Sequence, residues 1–387
     1  MYKYRKNILP PPHDTLQVCV TIPAKNEEQH IGRALHALSL QYGVKNASFE
    51  VIVLINHSWD GTLRICKEFQ DNHPDFNMHI VVTYSPAVIN VGSARRELMD
   101  MAYKRLPCAN GFVAMTDADS AVGRQWIKNL LKYSKTSIDL VCGPLVIDSS
   151  GLKGHTRKLY TAKQQYLLLR SRLESVILPD HFDPWPRHAF SCGPNMAIKK
   201  VAYKKIGGMP PLDFLEDAAL YDKVIQQGLE VRHCPDMPVK TSARLDSRTE
   251  RGFGDELKYW TTSGMEFKYT VEGLDKLIAR LQAFKMLQNA YKTGNKQCFS
   301  ELSTLFKLPL LVLQSLYTAN NNARAMGSSL VHILENHKPW MEIHPNRDVF
   351  DAVEEIEIYF KKGIGEHHRS FSKALVHTQH EPLIAQV

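Results

Sequence analysis

Two hydrophobic periods alternate along the first two thirds of the chain. VCVTIPA (18–24) is an apolar, β-branched run, Ile31, Leu35 and Leu38 then recur at helical spacing, and FEVIVLIN (49–56) is a second apolar run. The rhythm continues with a helix from about Thr62, a strand HIVVTY (79–84), a helix through Ala94 to Tyr103 and a strand GFVAMTDA (111–118). Strands separated by helices of this length predict an α/β protein with a mostly parallel, Rossmann-like sheet flanked by right-handed crossover helices. A long helix with Leu159, Tyr166 and Leu173 at heptad spacing follows, and GPNMAIKKVAYKKIGG (193–208) reads as a strand, a short helix and a glycine stop. After about residue 255 the pattern is helical, first around Leu274, Leu277, Ile278, Leu281 and Phe284, later around Val349, Phe350, Val353, Ile356 and Phe360. Three regions result: an extended arm over 1–15 that contains Pro10 to Pro12, an α/β domain over 16–255, and a helical C-terminal region over 256–387 whose last residues, from about His367, read as a frayed tail.

Composition narrows the class. With 44% hydrophobic and 23% charged residues, 21 Gly and 20 Pro, the chain has ordinary globular usage, which excludes collagen-like, coiled-coil and disordered proteins. Lys and Arg number 48 against 40 Asp and Glu, a surplus of +8 that points to an anionic partner without choosing among nucleic acid, phospholipid and sugar diphosphate. The 7 cysteines are spread out and include no C-x-x-C pair, which argues against a disulfide scaffold and a structural zinc site and fits a reducing, cytoplasmic setting. MYKYRKNILPPP has basic residues but no apolar core of a signal peptide, and no apolar run approaches the roughly 20 residues of a membrane span.

Open parallel sheets bind ligands beyond the carboxyl ends of their strands. Polar clusters are expected there: AKNEE after the first strand, NHSWDGT after the second and DADS after the fourth. Asp117 and Asp119 at the last of these can hold one hard divalent cation, magnesium or manganese, although a bare D-x-D also occurs as a solvated turn. Glu216-Asp217 opens a helix, where acidic residues commonly serve as caps; placed against a substrate hydroxyl, such a carboxylate is a general base. Arg244, Arg248 and Arg251 lie either on a solvated surface or on a segment that closes over phosphate. His233 beside Cys234 is a candidate third metal ligand, with a structural role as the alternative reading. No P-loop, no G-x-G-x-x-G after the first strand and no G-x-S-x-G is present.

The ordered series VTIPAKNEE, NHSWDGT, NVGSARRELMD, FVAMTDADS, CGPNMAIKKVAYKKIGG and FLEDAAL resembles the family 2 glycosyltransferases of the GT-A fold, over about residues 16–255. The resemblance implies a nucleotide-diphospho-sugar donor, a divalent metal and transfer with inversion to an acceptor hydroxyl, on a glycan or a lipid-linked molecule. By this match Pro23, Ala24 and Glu27 belong to the first nucleotide loop, Asn56 and Asp60 to the second, and Arg95 to the segment after the third strand. Asp117 and Asp119 match the family's D-x-D, with Asp119 favoured as the direct metal ligand. Asp217 matches the general base, with Glu216 beside it on the acceptor side, and Arg244 and Arg248 resemble a loop that closes over the donor. Ile55 stands where many members carry an acidic residue, which leaves the base of the nucleotide open. The Q-x-x-R-W signature of processive synthases is absent.

Two alternatives remain in view. A sugar-phosphate nucleotidyltransferase needs a glycine-rich loop after the first strand, which AKNEE does not supply. A noncatalytic carbohydrate- or anion-binding protein fits the charge, but no run interleaves aromatic with basic residues as a nucleic-acid stacking platform does, so no nucleic-acid partner is expected. Leu305 to Leu316 with Lys307 suits either a membrane interface or a buried helix of the C-terminal region.

Overall fold

The computed structural model describes residues 9–147, 151–242, 253–264 and 267–362. Strand β1 (Val18–Ala24) leads to α1 (Ile31–Ser39), β2 (Phe49–Asn56), α2 (Thr62–Asn72), β3 (Met78–Thr83) and α3 (Val91–Arg105). β4 (Phe112–Met115), β5 (Ser120–Val122), α4 (Trp126–Leu131), β6 (Leu140–Cys142), β7 (Leu145–Ile147) and the long α5 (Gly154–Ile177) follow. Then come β8 (Met196–Lys199), α6 (Lys200–Lys205), α7 (Glu216–Gln226), β9 (Val231–His233) and β10 (Val239–Thr241). The rest is largely helical: α8 (Phe253–Thr262), β11 (Thr270–Glu272), α9 (Leu274–Thr293), α10 (Cys298–Phe306), α11 (Leu310–Ala319), α12 (Ala323–Leu334), α13 (Lys338–Ile343), β12 (Asn346–Asp348) and α14 (Val349–Lys362).

The expected sheet is present, with seven strands in the order β3-β2-β1-β4-β8-β6-β9 among the described residues. β1 runs parallel to β2 from Val18 opposite Phe49 to Ala24 opposite Ile55, and parallel to β4 from Val18 opposite Phe112. Only β8 is reversed, antiparallel to both β4 and β6. Because β1, β2 and β4 point the same way in register, the loops after them emerge at one edge. Alternation sorts β2 between two cores: Ile52 and Leu54 pack with Leu98 and Met99 of α3 and Leu220 of α7, whereas Val51, Val53 and Ile55 pack with Leu35 of α1 and Trp126 of α4. A small sheet, β5-β10-β7, lies beside the carboxyl edge and is not visible in the hydrophobic pattern, since three-residue strands carry no period.

Leu159, Tyr166 and Leu173 of α5 share a core with Trp260 of α8, Leu281 of α9 and Ile356 of α14. A further core joins α9 to the helices after it through Leu287, Phe299, Phe306, Met326 and Trp340. No single helix among the described residues is long and apolar enough to cross a membrane; α10 and α11 form a pair bent by 116°. Leu313 is buried in the core there, while Leu310 and Leu311 are exposed. Both readings of the 305–316 segment thus find residues that fit them.

β2 also carries a fully buried charge, Glu50, at the end of the sheet opposite the ligand edge. Its carboxylate accepts from Arg105 Nη2 at 2.8 Å, and His79 and Cys19 lie within 3.3 Å; Arg105 also donates to the Pro10 carbonyl and so pins the N-terminal arm. Burial raises the Glu50 pKa, but the hydrogen bonds from Arg105 and His79 outweigh it and hold the carboxyl at about 2. A folded pKa below the unfolded value stabilises the fold above about pH 4.3, and the contribution of about 3 kcal/mol is lost as pH falls toward 2. Acid titration monitored by circular dichroism is therefore expected to show a shallower loss between pH 4 and 2 in Glu50→Gln, which is already destabilised at pH 7, than in the parent protein. Equal slopes would exclude this cluster as an acid-labile element.

Candidate active site

The loops after β1 and β2 are tied to one another before any ligand is considered. The Asn26 amide donates to Ser58 Oγ at 2.9 Å, Trp59 N–H to Asn26 Oδ1 at 2.8 Å, and Glu27 N–H to Thr62 Oγ1 at 2.7 Å. Asp60, predicted as a donor contact, is occupied in this seam: its carboxylate accepts from the amides of Glu28 and Thr62, each at 3.0 Å. Burial raises its pKa, yet the Thr62 hydroxyl and these amides bring the net shift downward. Asn26 (φ 53°), His57 (φ 48°) and Leu215 (φ 57°) are non-glycine residues in the left-handed region. Each costs roughly 1–3 kcal/mol, a strain that clusters at functional loops.

A cleft of about 960 Å³ opens at the carboxyl edge of the sheet. Pro23, Glu27 and Asn56 line its floor, whereas Ala24 is buried beneath it. Asp117, Asp119, Glu216 and Asp217 line the same cleft although two segments about a hundred residues apart supply them. Arg95 joins those segments. Its Nη2 donates to Asp117 at 2.6 Å and its Nε to Glu216 at 2.8 Å, with side-chain exposures of 5% for Arg95 and 6% for Glu216. The arginine predicted to touch the donor thus lies on the cleft wall with its hydrogen bonds directed to carboxylates.

Local sequence explains how Arg95 reaches there. Asn90 and Ser93 form a reciprocal capping box that starts α3 at Val91, earlier than the apolar pattern indicates, and Arg95 falls in its second turn. Gly92 lets this turn meet the backbone before α7, since a Cβ there would stand 2.0 Å from the Leu212 carbonyl oxygen. Asn90 also bonds Asp213. A second glycine matters equally. Gly193 N–H donates to Asp217 Oδ2 at 2.6 Å, and a Cβ on Gly193 would lie 2.6 Å from Arg95 Nη2.

Asp217 is half-buried at the start of α7, and its other oxygen accepts from the Ala218 amide at 2.8 Å. Asp119 accepts from Ser242 Oγ at 2.9 Å and lies 3.4 Å from Thr241 Oγ1, both on or beside β10. Burial pushes the Asp117 carboxyl up to about 6; Arg95 opposes that shift and the Asp119 charge adds to it. Cys192 lines the cleft, but burial, with the Asp217 charge adding, pushes its thiol up to about 12, which removes it as a nucleophile at neutral pH.

No three His, Cys, Asp or Glu side chains form a ready metal cluster among the described residues. Asp117 and Asp119 nevertheless supply hard oxygen donors of the type that magnesium or manganese accepts, and Asp117 keeps 28% of its side chain exposed, so the pair fits a cation whose other ligands come from a diphosphate and water. His233 is placed elsewhere: its Nδ1 lies 2.7 Å from Asp183 Oδ2, in a buried group with His188 and Tyr221. Arg244, Arg248 and Arg251 lie outside the described residues. Sequence reasoning missed Gly193, Thr241, Ser242 and Lys163, whose signal is only their position beside this cleft.

Residues 19–207 match the family described as glycosyl transferase family 2. That segment, a little under half of the chain, is what the chain shares with glycosyltransferase family 2. The chain is also similar to the probable glycosyltransferase YdaM of Bacillus subtilis (strain 168), 26% identical over 238 residues that cover 60% of this chain and 51% of that protein. It therefore spans about half the length of the curated relative it matches. Among solved structures, the mannosyltransferase PcManGT from Pyrobaculum calidifontis, in complex with GDP-Man and Mn2+, is 16% identical, with 91% of this chain and 89% of that chain covered and a TM-score of 0.45. S. aureus TarS 1-349 in complex with UDP-GlcNAc is 14% identical, with 90% and 92% covered and a TM-score of 0.45.

Proposed function

We propose that the protein is an inverting glycosyltransferase that moves a sugar from a nucleotide-diphospho-sugar to an acceptor hydroxyl. One observation carries this reading: the D-x-D pair and the Glu216-Asp217 pair, far apart in sequence, line one cleft at the carboxyl edge of a family 2 domain and are bridged by Arg95.

Asp117 and Asp119 would hold a magnesium or manganese ion, which when bound would supply positive charge against the leaving diphosphate. Pro23, Glu27 and Asn56 form the floor for the nucleotide, and Asp60 holds the two nucleotide loops together. Asp217 takes the proton of the acceptor hydroxyl, and its hydrogen bonds from Gly193 and Ala218 fix the carboxylate while it does so. The sugar acquires oxocarbenium character as the bond to the diphosphate breaks, and the acceptor oxygen enters from the opposite face. Glu216 orients Arg95 by accepting from its Nε. Arg244 and Arg248 are assigned to closure over the donor diphosphate. We assign this chemistry to residues 16–255; of the region 256–387, α9 and α14 pack against α5. The spread of the cysteines, with no C-x-x-C pair, supports a reducing, cytoplasmic setting.

A thermal-shift screen against UDP, GDP, CDP and dTDP, each with Mn2+, Mg2+ or EDTA, tests the donor site without knowledge of the acceptor. One nucleotide is expected to raise Tm only with metal, by the equivalent of about 2.7 kcal/mol at a hundred times its Kd. Asp119→Ala is expected to remove that rise. The absence of a metal-dependent response to every nucleotide would overturn the reading.

A further inference from the structure

Next to the donor cleft along α5 lies a second cavity of about 470 Å³, between α5, β11, α9, α12 and α13. It is within the range of small-molecule sites, and Lys163 and Leu167 of α5 border both cavities. Lys163, Arg170, Lys276 and Arg280 face it, against Glu272 and Glu335. Three of these cations have carboxylate partners: Lys163 bonds Glu256 at 2.7 Å, Arg170 bonds Glu174 at 3.0 Å, and Arg280 bonds Glu272 at 2.9 Å.

Lys276 differs. It is 5% exposed, and its ammonium donates to Asn346 Oδ1 at 2.9 Å and lies 3.3 Å from Met341 Sδ, neither of which carries charge. Glu272, Asp275 and Glu335 act on it through space, but no carboxylate among the described residues is bonded to it, and a buried ammonium without a bonded carboxylate is costly. The ammonium has a third donor, and Lys276 lines the cavity. Tyr166, Tyr269 and Trp340 supply ring surface beside it. The Tyr166 hydroxyl is engaged by the Glu272 carbonyl at 3.0 Å, which leaves its ring as the apolar wall.

We infer that this cavity binds a small organic anion, a phosphorylated or carboxylated ring compound whose charged group pairs with Lys276 and whose ring lies against the aromatic wall. The site adjoins the donor cleft at Lys163 and Leu167 and shares no other lining residue with it, so it stands whether or not the donor reading holds. The cavity volume and the rings argue for an organic ligand over bare phosphate, and four cations against two carboxylates on the wall favour an anion.

Thermal-shift titration of the full chain in EDTA at constant ionic strength, with glucose 1-phosphate and with inorganic phosphate, provides the test. Glucose 1-phosphate is expected to raise Tm saturably, with a midpoint about tenfold or more below that of inorganic phosphate. Lys276→Met removes the charge and keeps the bulk; Val331→Phe fills the cavity and keeps the charge. Neither position lines the donor cleft. Each variant is expected to raise the glucose 1-phosphate midpoint by about tenfold or more. Absence of a saturable response in the parent protein, or an unchanged midpoint in both variants, overturns the site. Equal midpoints for the two anions overturn the organic ligand and assign the cavity to free phosphate.

Discussion

Asp217→Asn is expected to lower the rate of sugar transfer by about 10²–10⁴-fold while leaving the metal-dependent affinity for the donor nucleotide within about twofold. The amide keeps the size of the carboxylate and an oxygen for the Gly193 N–H, and gives up the bond from the Ala218 N–H in the first turn of α7. What the substitution removes is the ability to accept a proton from the acceptor hydroxyl. Asp119→Ala gives the opposite pattern, with loss of nucleotide affinity, because that side chain belongs to the proposed metal site and lies among Ser120, Thr241 and Ser242, away from α7. Nucleotide binding by calorimetry, together with transfer measured on the matched acceptor, separates the two. Full transfer by Asp217→Asn would remove Asp217 as base, and parallel loss of donor binding in both variants would mean that the two carboxylates act as one structural unit.

The acidic pairs were legible because each sits where a strong periodic signal ends. β4 stops at Met115, two residues before Asp117, and α7 begins at Glu216. The relation between the pairs was not legible. It runs through Arg95, which is 22 residues from Asp117 and 121 from Glu216, and no local pattern records a contact of that kind. The sequence reading therefore placed Arg95 against the donor, while the fold turns its hydrogen bonds to carboxylates. Ser242 was passed over for a related reason: its role exists only because β10 pairs with β5 and brings it to Asp119. Lys276 and Arg280 carry no signal in the apolar spacing of α9. That helix is buried on most sides, including at these two cations, so the apolar spacing of Leu274, Leu277 and Leu281 describes only part of its contacts.

Arg95→Met is expected to destabilise the protein by about 3–5 kcal/mol at pH 8, the usual cost of removing one partner from a buried ion pair. The methionine fills much of the volume but leaves the buried Glu216 carboxylate and the partly buried Asp117 carboxylate facing one another without a cation. The pH dependence gives the loss a signature that a simple packing defect lacks. Burial already raises the Asp117 pKa to about 6 with Arg95 in place, and Arg95 is what holds it from rising further. A carboxyl whose folded pKa exceeds its unfolded value favours the fold when protonated, and that advantage is lost as pH rises through the folded pKa. The deficit of Arg95→Met should accordingly be smaller at pH 5 than at pH 8, as read by urea unfolding at both. Arg95→Lys keeps a charge but cannot reach Asp117, Glu216 and the Gly193 carbonyl as the planar guanidinium does, so it should recover part of the stability and little of the transfer. A deficit independent of pH would show that Arg95 contributes through packing alone and does not hold the two acidic segments together by charge.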